Sequence, residues 1–187
     1  MEVLKKFNYA QFPTLEERAK WFAYYHHGVT LHMYGNKPYF DGHLTKVVEV
    51  AKRYIYLIRE DLRDSVLAAC WAHDTIEDTR VTYNDVKEVL GEEVAELVYA
   101  LTNEKGKSRK TRAGDKYYRG IRTTPRATFV KLADRIANIE ASIDSGGRML
   151  DLYRKEHAEF CNQLYDDEYG LMWDRIEILL TPMPQEL

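Results

Sequence analysis

The run His73-Asp74-Thr75-Ile76-Glu77-Asp78-Thr79 sets four groups able to bind a metal or move a proton within six consecutive positions. It follows Ser65-Val66-Leu67-Ala68-Ala69-Cys70-Trp71-Ala72, which otherwise reads as a buried helix. Buried polar groups destabilise a fold unless something satisfies them. A divalent cation would satisfy an adjacent His–Asp pair. Residues i and i+4 of a helix share a face, so His73 pairs with Glu77 and Asp74 with Asp78. If the first pair holds a metal, the second projects one turn further, where an attacking water or a leaving group would sit. A carboxylate there can act as general base or acid. The cation itself lowers the pKa of a water and polarises a phosphoryl oxygen. The chemistry expected is metal-dependent hydrolysis.

Two ligands do not make a site, and the chain offers others. His43 stands at the start of a helix, in Pro38-Tyr39-Phe40-Asp41-Gly42-His43. Asp134 is embedded in the apolar stretch Val130-Lys131-Leu132-Ala133-Asp134-Arg135-Ile136-Ala137-Asn138, where a charge asks for a partner. Asn138 lies one turn later on the same face. Two imidazoles and two carboxylates suit Mn²⁺, Fe²⁺ or Zn²⁺. Each residue taken alone admits a plainer account. The histidines could be hydrogen-bonded core residues, Asp134 could pair with Arg135, and Glu77-Asp78 could be a solvated helix end. Together those accounts require four independent polar intrusions into apolar helices, which favours one shared site.

With these residues in place the chain resembles the HD-domain metal-dependent phosphohydrolases, whose H…HD…D signature matches His43…His73-Asp74…Asp134. One branch is closer. His73-Asp74-Thr75-Ile76-Glu77-Asp78-Thr79, Thr82, Gly91 with Val94 and Val98, Leu101-Thr102, and Val130-Lys131-Leu132-Ala133-Asp134-Arg135 with Asn138 resemble the hydrolase domain of RelA/SpoT homologues, and among them the small stand-alone alarmone hydrolases. The resemblance covers roughly residues 20–145. It implies an α-helical bundle and a metal, usually Mn²⁺, held by His43, His73, Asp74 and Asp134. It implies removal of the 3′-pyrophosphate from guanosine tetra- or pentaphosphate. Glu77 and Asp78 match the pair that positions or activates the attacking water, and Asn138 matches a nucleotide-contacting asparagine.

A nucleotide substrate also fits the charge pattern. Lys105, Lys107, Arg109, Lys110, Arg112, Lys116, Arg119, Arg122 and Arg126 crowd one segment in which Asp115 is the only acid. A local basic segment on a slightly acidic protein suits a small anion, and Arg suits bidentate phosphate contact. Lys116, Arg119 and Arg122, spaced by three, fall on one side of a short helix over about 114–122 and are expected to contact phosphate. The chain departs from the family where an Arg-Lys pair ahead of the Pro-Tyr usually contacts guanosine. Leu31-His32 stands there instead, which makes His32 a candidate substrate contact. The Pro38–His43 segment is also one residue longer than usual. Both departures bear on base recognition and leave the metal centre intact, so the base stays open between guanosine and an adenosine analogue. A second reading is an HD-type nucleotidase or phosphodiesterase acting on another nucleotide. A third is a non-catalytic nucleotide-binding module, against which the intact Glu77-Asp78 pair argues. His26 and His27 read as helix-terminal residues, His157 as a surface or packing residue, and Trp21, Phe22, Trp71 and Trp173 as core.

The elements that must position these groups read as helices throughout. Thr14-Leu15-Glu16-Glu17 is a capping box opening a helix toward His27, ended near Gly28. A second helix begins near Gly42. The His-Asp helix follows, with Asp64 or Ser65 as its N-cap. Thr82 caps a helix that Gly91 ends, and Glu92 to Leu101 forms the next. Residues 103–114 read as a loop. Thr124, with Pro125 at the first helical position, opens a long helix that stops at Ser145-Gly146-Gly147. Two more cover roughly 149–165 and 169–180. No segment alternates as a strand should. The expectation is an all-α, single-domain HD-type bundle over 1–187, with its core at about 14–145. With 187 residues the chain can bury a real core, and at 45% hydrophobic and 30% charged its composition is ordinary for a globular protein. A net charge of −3 gives no reason to expect nucleic acid as a partner. No apolar run approaches a membrane span, and no secretory signal opens the chain. Cys70 and Cys161 lack CxxC spacing and read as thiols. A cytoplasmic protein is expected, and its oligomeric state is left open.

Overall fold

The computed structural model describes residues 8–103, 114–147 and 149–182. Helices α1 (Leu15–Val29), α2 (Thr45–Tyr54), α3 (Arg63–Ala72), α4 (Thr75–Asp78), α5 (Tyr83–Leu90), α6 (Glu92–Leu101), α7 (Asp115–Thr123), α8 (Ala127–Asp144), α9 (Leu150–Leu164) and α10 (Gly170–Leu180) carry the all-α architecture expected from the sequence. No helix among the described residues is long and apolar enough to cross a membrane.

Helix α3 lies at the centre. Every residue from Ser65 to Ala72 is buried, as befits a helix that is apolar all round. Helices α1, α2, α6 and α8 pack against it, and α10 covers α8. Helix α8 buries Phe129, Val130, Leu132, Ala133, Ile136, Ala137 and Ile139 in the same core. Full burial of each larger side chain contributes about 1.5–3 kcal/mol, which fixes α3 and α8 side by side. The two helices that end or run at the candidate site are thus the most deeply anchored.

The start of α1 is tied down twice. Thr14 and Glu17 form the expected capping box. The Asp64 carboxylate also accepts the Leu15 and Glu16 amides at 3.0 and 2.9 Å. Those amides have no partner inside their own helix. Asp64 therefore does not cap α3, as local sequence suggests, and neither does Ser65: α3 begins at Arg63, and Asp64 serves a helix 49 residues away in sequence.

Three other segments differ from expectation. Met33–Tyr34 and Lys37–Pro38 form a minimal antiparallel hairpin, turned at Gly35, whose φ is +61°. The stretch Phe40–Leu44 winds as a π-helix, with the Thr45 amide reaching back to the Phe40 carbonyl. A π turn is the form that one extra residue takes inside a helix, and this is the stretch that reads one residue long. Helix α8 begins at Ala127 and not at Pro125. Thr124 closes α7 through its amide, extended as a residue before proline prefers. Arg126 then turns the chain with φ +69°. Gly91, at φ +88°, ends α5 as expected. Trp21 is 37% exposed and stacks on Phe12, so it is not core, whereas Phe22, Trp71 and Trp173 are.

Candidate metal centre

Three separated segments deliver the site. The π turn supplies His43, the end of α3 supplies His73 and Asp74, and the middle of α8 supplies Asp134. The His43 Nε2 lies 3.3 Å from Asp134 Oδ1 and 3.6 Å from Asp74 Oδ2. The His73 Nε2 lies 2.9 Å from Asp74 Oδ2 and 3.9 Å from Asp134 Oδ1. His43, His73 and Asp134 offer ligand atoms that all fall within 4.8 Å of one another, and all three residues are buried. Asp74 Oδ2 lies beside both imidazoles of that group.

The donor set fits a divalent cation on this chain's own evidence. His73 Nδ1 sits 2.9 Å from the Cys70 carbonyl, a geometry that needs the proton on Nδ1. Its Nε2 is buried and turned toward the cluster, facing Asp74 Oδ2. A histidine oriented through its other nitrogen is how metal ligands are usually held. Burial alone would disfavour a charged His43, but Asp134 and Asp74 outweigh it and push His43 up to about 9. Burial would likewise raise the two carboxyls, yet His73 and His43 hold Asp74 well below the usual range, and Lys131 together with His43 does the same for Asp134. The pocket is thus built to hold positive charge.

Neighbouring residues fix these ligands. The Tyr39 hydroxyl donates to Asp74 Oδ2. Lys131 Nζ donates to Asp134 Oδ2 at 2.8 Å. Asn138 donates its amide to the Asp134 carbonyl at 3.0 Å and also to its carboxylate, and accepts the Tyr34 hydroxyl at 2.9 Å. Arg135 does not pair with Asp134. It points away to Glu156 at 3.2 Å and lies against the Tyr153 and Phe160 rings. The plain Asp134–Arg135 ion pair is excluded on that geometry.

Glu77 and Asp78 lie one turn beyond the ligands on α4, after a break in the helix at His73-Asp74. Glu77 is gripped by Asn103, whose backbone and side-chain amides donate to it at 2.9–3.1 Å. Partial burial and the nearby charges of Asp74 and Glu77 push the Asp78 carboxyl up to about 7. His32 stacks on Tyr39 at 3.9 Å and puts Nδ1 3.7 Å from Asp78. His27, read as a mere helix end, is buried in this stack, with Nδ1 3.1 Å from that of His32.

A cavity of about 820 Å³ opens on the cluster, lined by His43, Asp74, Glu77, Asp78, Asp134 and Asn138 and by Lys131, Tyr118, Tyr153 and Lys155. The expected phosphate contacts Lys116, Arg119 and Arg122 do not line it. Tyr117 and Ile121 take the inward face of α7 and leave those three exposed. Arg122 donates to the Gln163 carbonyl and side chain at 2.8 and 2.7 Å, beside a different cleft. Lys105, Lys107, Arg109, Lys110 and Arg112 lie outside the described residues. Reading the sequence missed Tyr34, Tyr39, Asn103 and Lys131. Only Lys131 left a local signal, three residues before Asp134 on the same helical face.

No family model matches the chain. The described fold superposes on a solved metazoan protein reported as a SpoT ortholog that hydrolyses ppGpp, with a TM-score of 0.67 at 21% identity, covering 88% of this chain and 95% of that one. The chain shares the helical bundle of that protein. Sequence similarity runs to proteins named guanosine-3′,5′-bis(diphosphate) 3′-pyrophosphohydrolase. The one from Aquifex aeolicus is 38% identical over 80 residues, which is 41% of this chain and 11% of that protein. The one from Drosophila melanogaster is 32% identical over 76 residues, 41% of this chain and 42% of its own length. The human one is 35% identical over 74 residues, 40% of this chain and 41% of its length. The chain thus matches well under two thirds of each of these relatives, and it resembles the alarmone hydrolases in sequence over that stretch.

Proposed function

We propose that this protein is a metal-dependent pyrophosphohydrolase that removes the 3′-pyrophosphate from a hyperphosphorylated purine nucleotide of the guanosine tetra- or pentaphosphate type. The observation that carries this reading is the convergence of His43, His73, Asp74 and Asp134 beside a cavity whose lining includes His43, Asp74, Asp134, Glu77 and Asp78. The names and activities of the similar proteins support the substrate class.

His43, His73, Asp74 and Asp134 would hold the cation, with Mn²⁺ the expected ion and other divalent metals compatible with the same nitrogen and oxygen donors. When bound there, it would supply charge stabilisation on a phosphoryl oxygen and ease deprotonation of an attacking water. Asp78, with its carboxyl poised near neutrality, takes the proton of that water. Glu77, immobilised by Asn103, orients the water, and its charge adds to the basicity of Asp78. Lys131 and Lys155 offset the charge of the leaving pyrophosphate. Tyr118, half-buried at the cavity wall, offers ring surface to the base. Asn138 already gives its polar atoms to Asp134 and Tyr34 and so acts first by fixing that corner of the cavity.

A second reading keeps the metal chemistry and changes the nucleotide. Leu31 is 82% exposed and His32 lies folded against Tyr39 where the family places an Arg-Lys pair. One experiment addresses both. The purified protein is incubated with Mn²⁺ and a panel of nucleotides that includes guanosine tetraphosphate. Pyrophosphate released from the 3′ position, lost in His73→Ala and Asp74→Ala, supports the first reading. Inorganic phosphate or nucleoside released from other nucleotides, with the guanosine compound untouched, displaces it. Full turnover by both variants removes the proposed metal role.

A further inference from the structure

A second cluster of ligand-type side chains lies apart from the HD centre, and neither the proposed function nor the family resemblance uses it. Helix α9 carries His157 and Cys161 one turn apart, and α10 carries Glu177 opposite them. His157 Nε2 lies 2.7 Å from Glu177 Oε1 and 3.5 Å from Cys161 Sγ. Ligand atoms of the three residues fall within 4.8 Å of one another. The Cys161 thiol is free.

We propose that His157, Cys161 and Glu177 form a surface site for a soft divalent cation of the Zn²⁺ class, which clips α9 to α10. The donor chemistry is one thiolate, one imidazole and one carboxylate, a mixed set zinc accepts in tetrahedral geometry. Usual zinc bond lengths place tetrahedral N and S ligands about 3.6 Å apart and N and O ligands about 3.4 Å apart. The existing N···S separation meets the first figure in length, but Sγ also lies 3.7 Å from Nδ1, so the imidazole must turn to aim its Nε2 lone pair at a cation beside the sulfur. The N···O pair must open by about 0.7 Å, and Glu177, with its side chain 64% exposed, is free to make that move. On binding, the Cys161 thiol gives its proton to solvent. The proton that His157 shares with Glu177 moves to Nδ1, leaving the Nε2 lone pair for the metal. Three protein ligands leave the fourth position to water, so the site is open at the surface.

The consequence for the molecule follows from where the clip sits. Helices α9 and α10 otherwise meet through the Phe160–Trp173 rings and the Arg154 hydrogen bond to the Leu180 carbonyl. The same α9 contributes Tyr153, Lys155, Glu156 and Phe160 to the wall of the large cavity. A cation at this site therefore stiffens one wall of the HD cavity from behind without entering it. The inference does not rest on the substrate proposed above.

The test uses cobalt as a probe on the full chain, kept reduced. Co²⁺ bound by thiolate gives a near-ultraviolet charge-transfer band, and the HD centre has no sulfur donor to produce one. The expected result is one such band per chain, displaced by stoichiometric Zn²⁺. It persists in Cys70→Ala and in Asp74→Ala, disappears in Cys161→Ser, and forms at least tenfold more weakly in Glu177→Gln. The exposed position of Glu177 keeps that variant folded. A missing band in the wild-type protein, a band that survives Cys161→Ser, or unchanged affinity in Glu177→Gln would overturn the assignment.

Discussion

Lys131 and His43 divide the Asp134 carboxylate between them: Lys131 Nζ reaches Oδ2 at 2.8 Å while His43 Nε2 faces Oδ1 at 3.3 Å. Lys131 anchors Oδ2 from within helix α8, while Oδ1, which the Asn138 amide also reaches, faces the centre. Lys131→Met removes the anchor and leaves a buried carboxylate short of a partner, at a cost of about 1–3 kcal/mol. A cation in the centre would take over part of that duty. The stability loss measured by urea denaturation should therefore be larger in chelator than in Mn²⁺. Equal losses in both conditions would mean that Lys131 serves packing alone.

The cluster-facing Nε2 of His73 leads to a second expectation. A ligand that binds only the folded state stabilises it by about 2.7 kcal/mol at a hundredfold excess over its dissociation constant. Mn²⁺ should raise the melting temperature of the wild-type protein, and a chelator should reverse the rise. His73→Ala removes a ligand whose orientation is already set by the Cys70 carbonyl, so the shift should vanish in that variant. A melting temperature indifferent to Mn²⁺, Fe²⁺ and Zn²⁺ alike would contradict the centre.

Much of this cluster was legible because His73, Asp74 and Asp134 intrude on otherwise apolar helices. His73-Asp74 after Ala68-Ala69-Cys70-Trp71-Ala72, and Asp134 among Leu132, Ala133 and Ile136, stand out on composition alone. The all-α class followed from helical spacing and from caps such as Thr14 and Thr82, both present as capping boxes. What stayed hidden depends on contacts between distant residues. The carboxylate of Asp64 looks local to α3 and is spent on α1. The spacing of Lys116, Arg119 and Arg122 tells that they share a side of α7 but not which side the core will take. Tyr117 and Ile121 decide that by burying. The seat of His27 in a ring stack with His32 and Tyr39 has no counterpart in helix-end statistics.

Gly42 is a position where space, not backbone angle, demands glycine. A Cβ there would stand 3.1 Å from the Tyr34 Cβ and 3.3 Å from the Tyr34 carbonyl oxygen. The hairpin must then move away from the π turn by a few tenths of an ångström. Overpacking of this sort costs about 1–3 kcal/mol. It also displaces the Tyr34 hydroxyl from Asn138, which sits beside Asp134. Gly42→Ala should lower stability by an amount in that range and weaken Mn²⁺ binding. Tyr34→Phe, which removes only the hydroxyl, should weaken metal binding less and leave stability nearly intact. If Gly42→Ala melts like the wild-type protein, the hairpin is looser than its contacts suggest.

Glu140 joins three helices. Arg53 of α2 donates to it at 3.2 and 2.8 Å, and Arg175 of α10 donates at 2.8 Å. Burial pulls the Glu140 carboxyl upward, but the two guanidinium groups outweigh it and hold it below the ordinary glutamate range. A carboxyl depressed in the folded state contributes stability above its unfolded pKa and loses that contribution as pH falls through the folded one. Both arginines are partly exposed, which screens the pair, so the contribution is about 1 kcal/mol. Glu140→Gln should therefore cost about that much at pH 7, and the difference from wild type should shrink toward zero as pH drops below about 4. Chemical denaturation of both proteins across that range reads it directly. A difference that stays constant down to the acid limit would assign the loss to packing of the side chain and not to its charge.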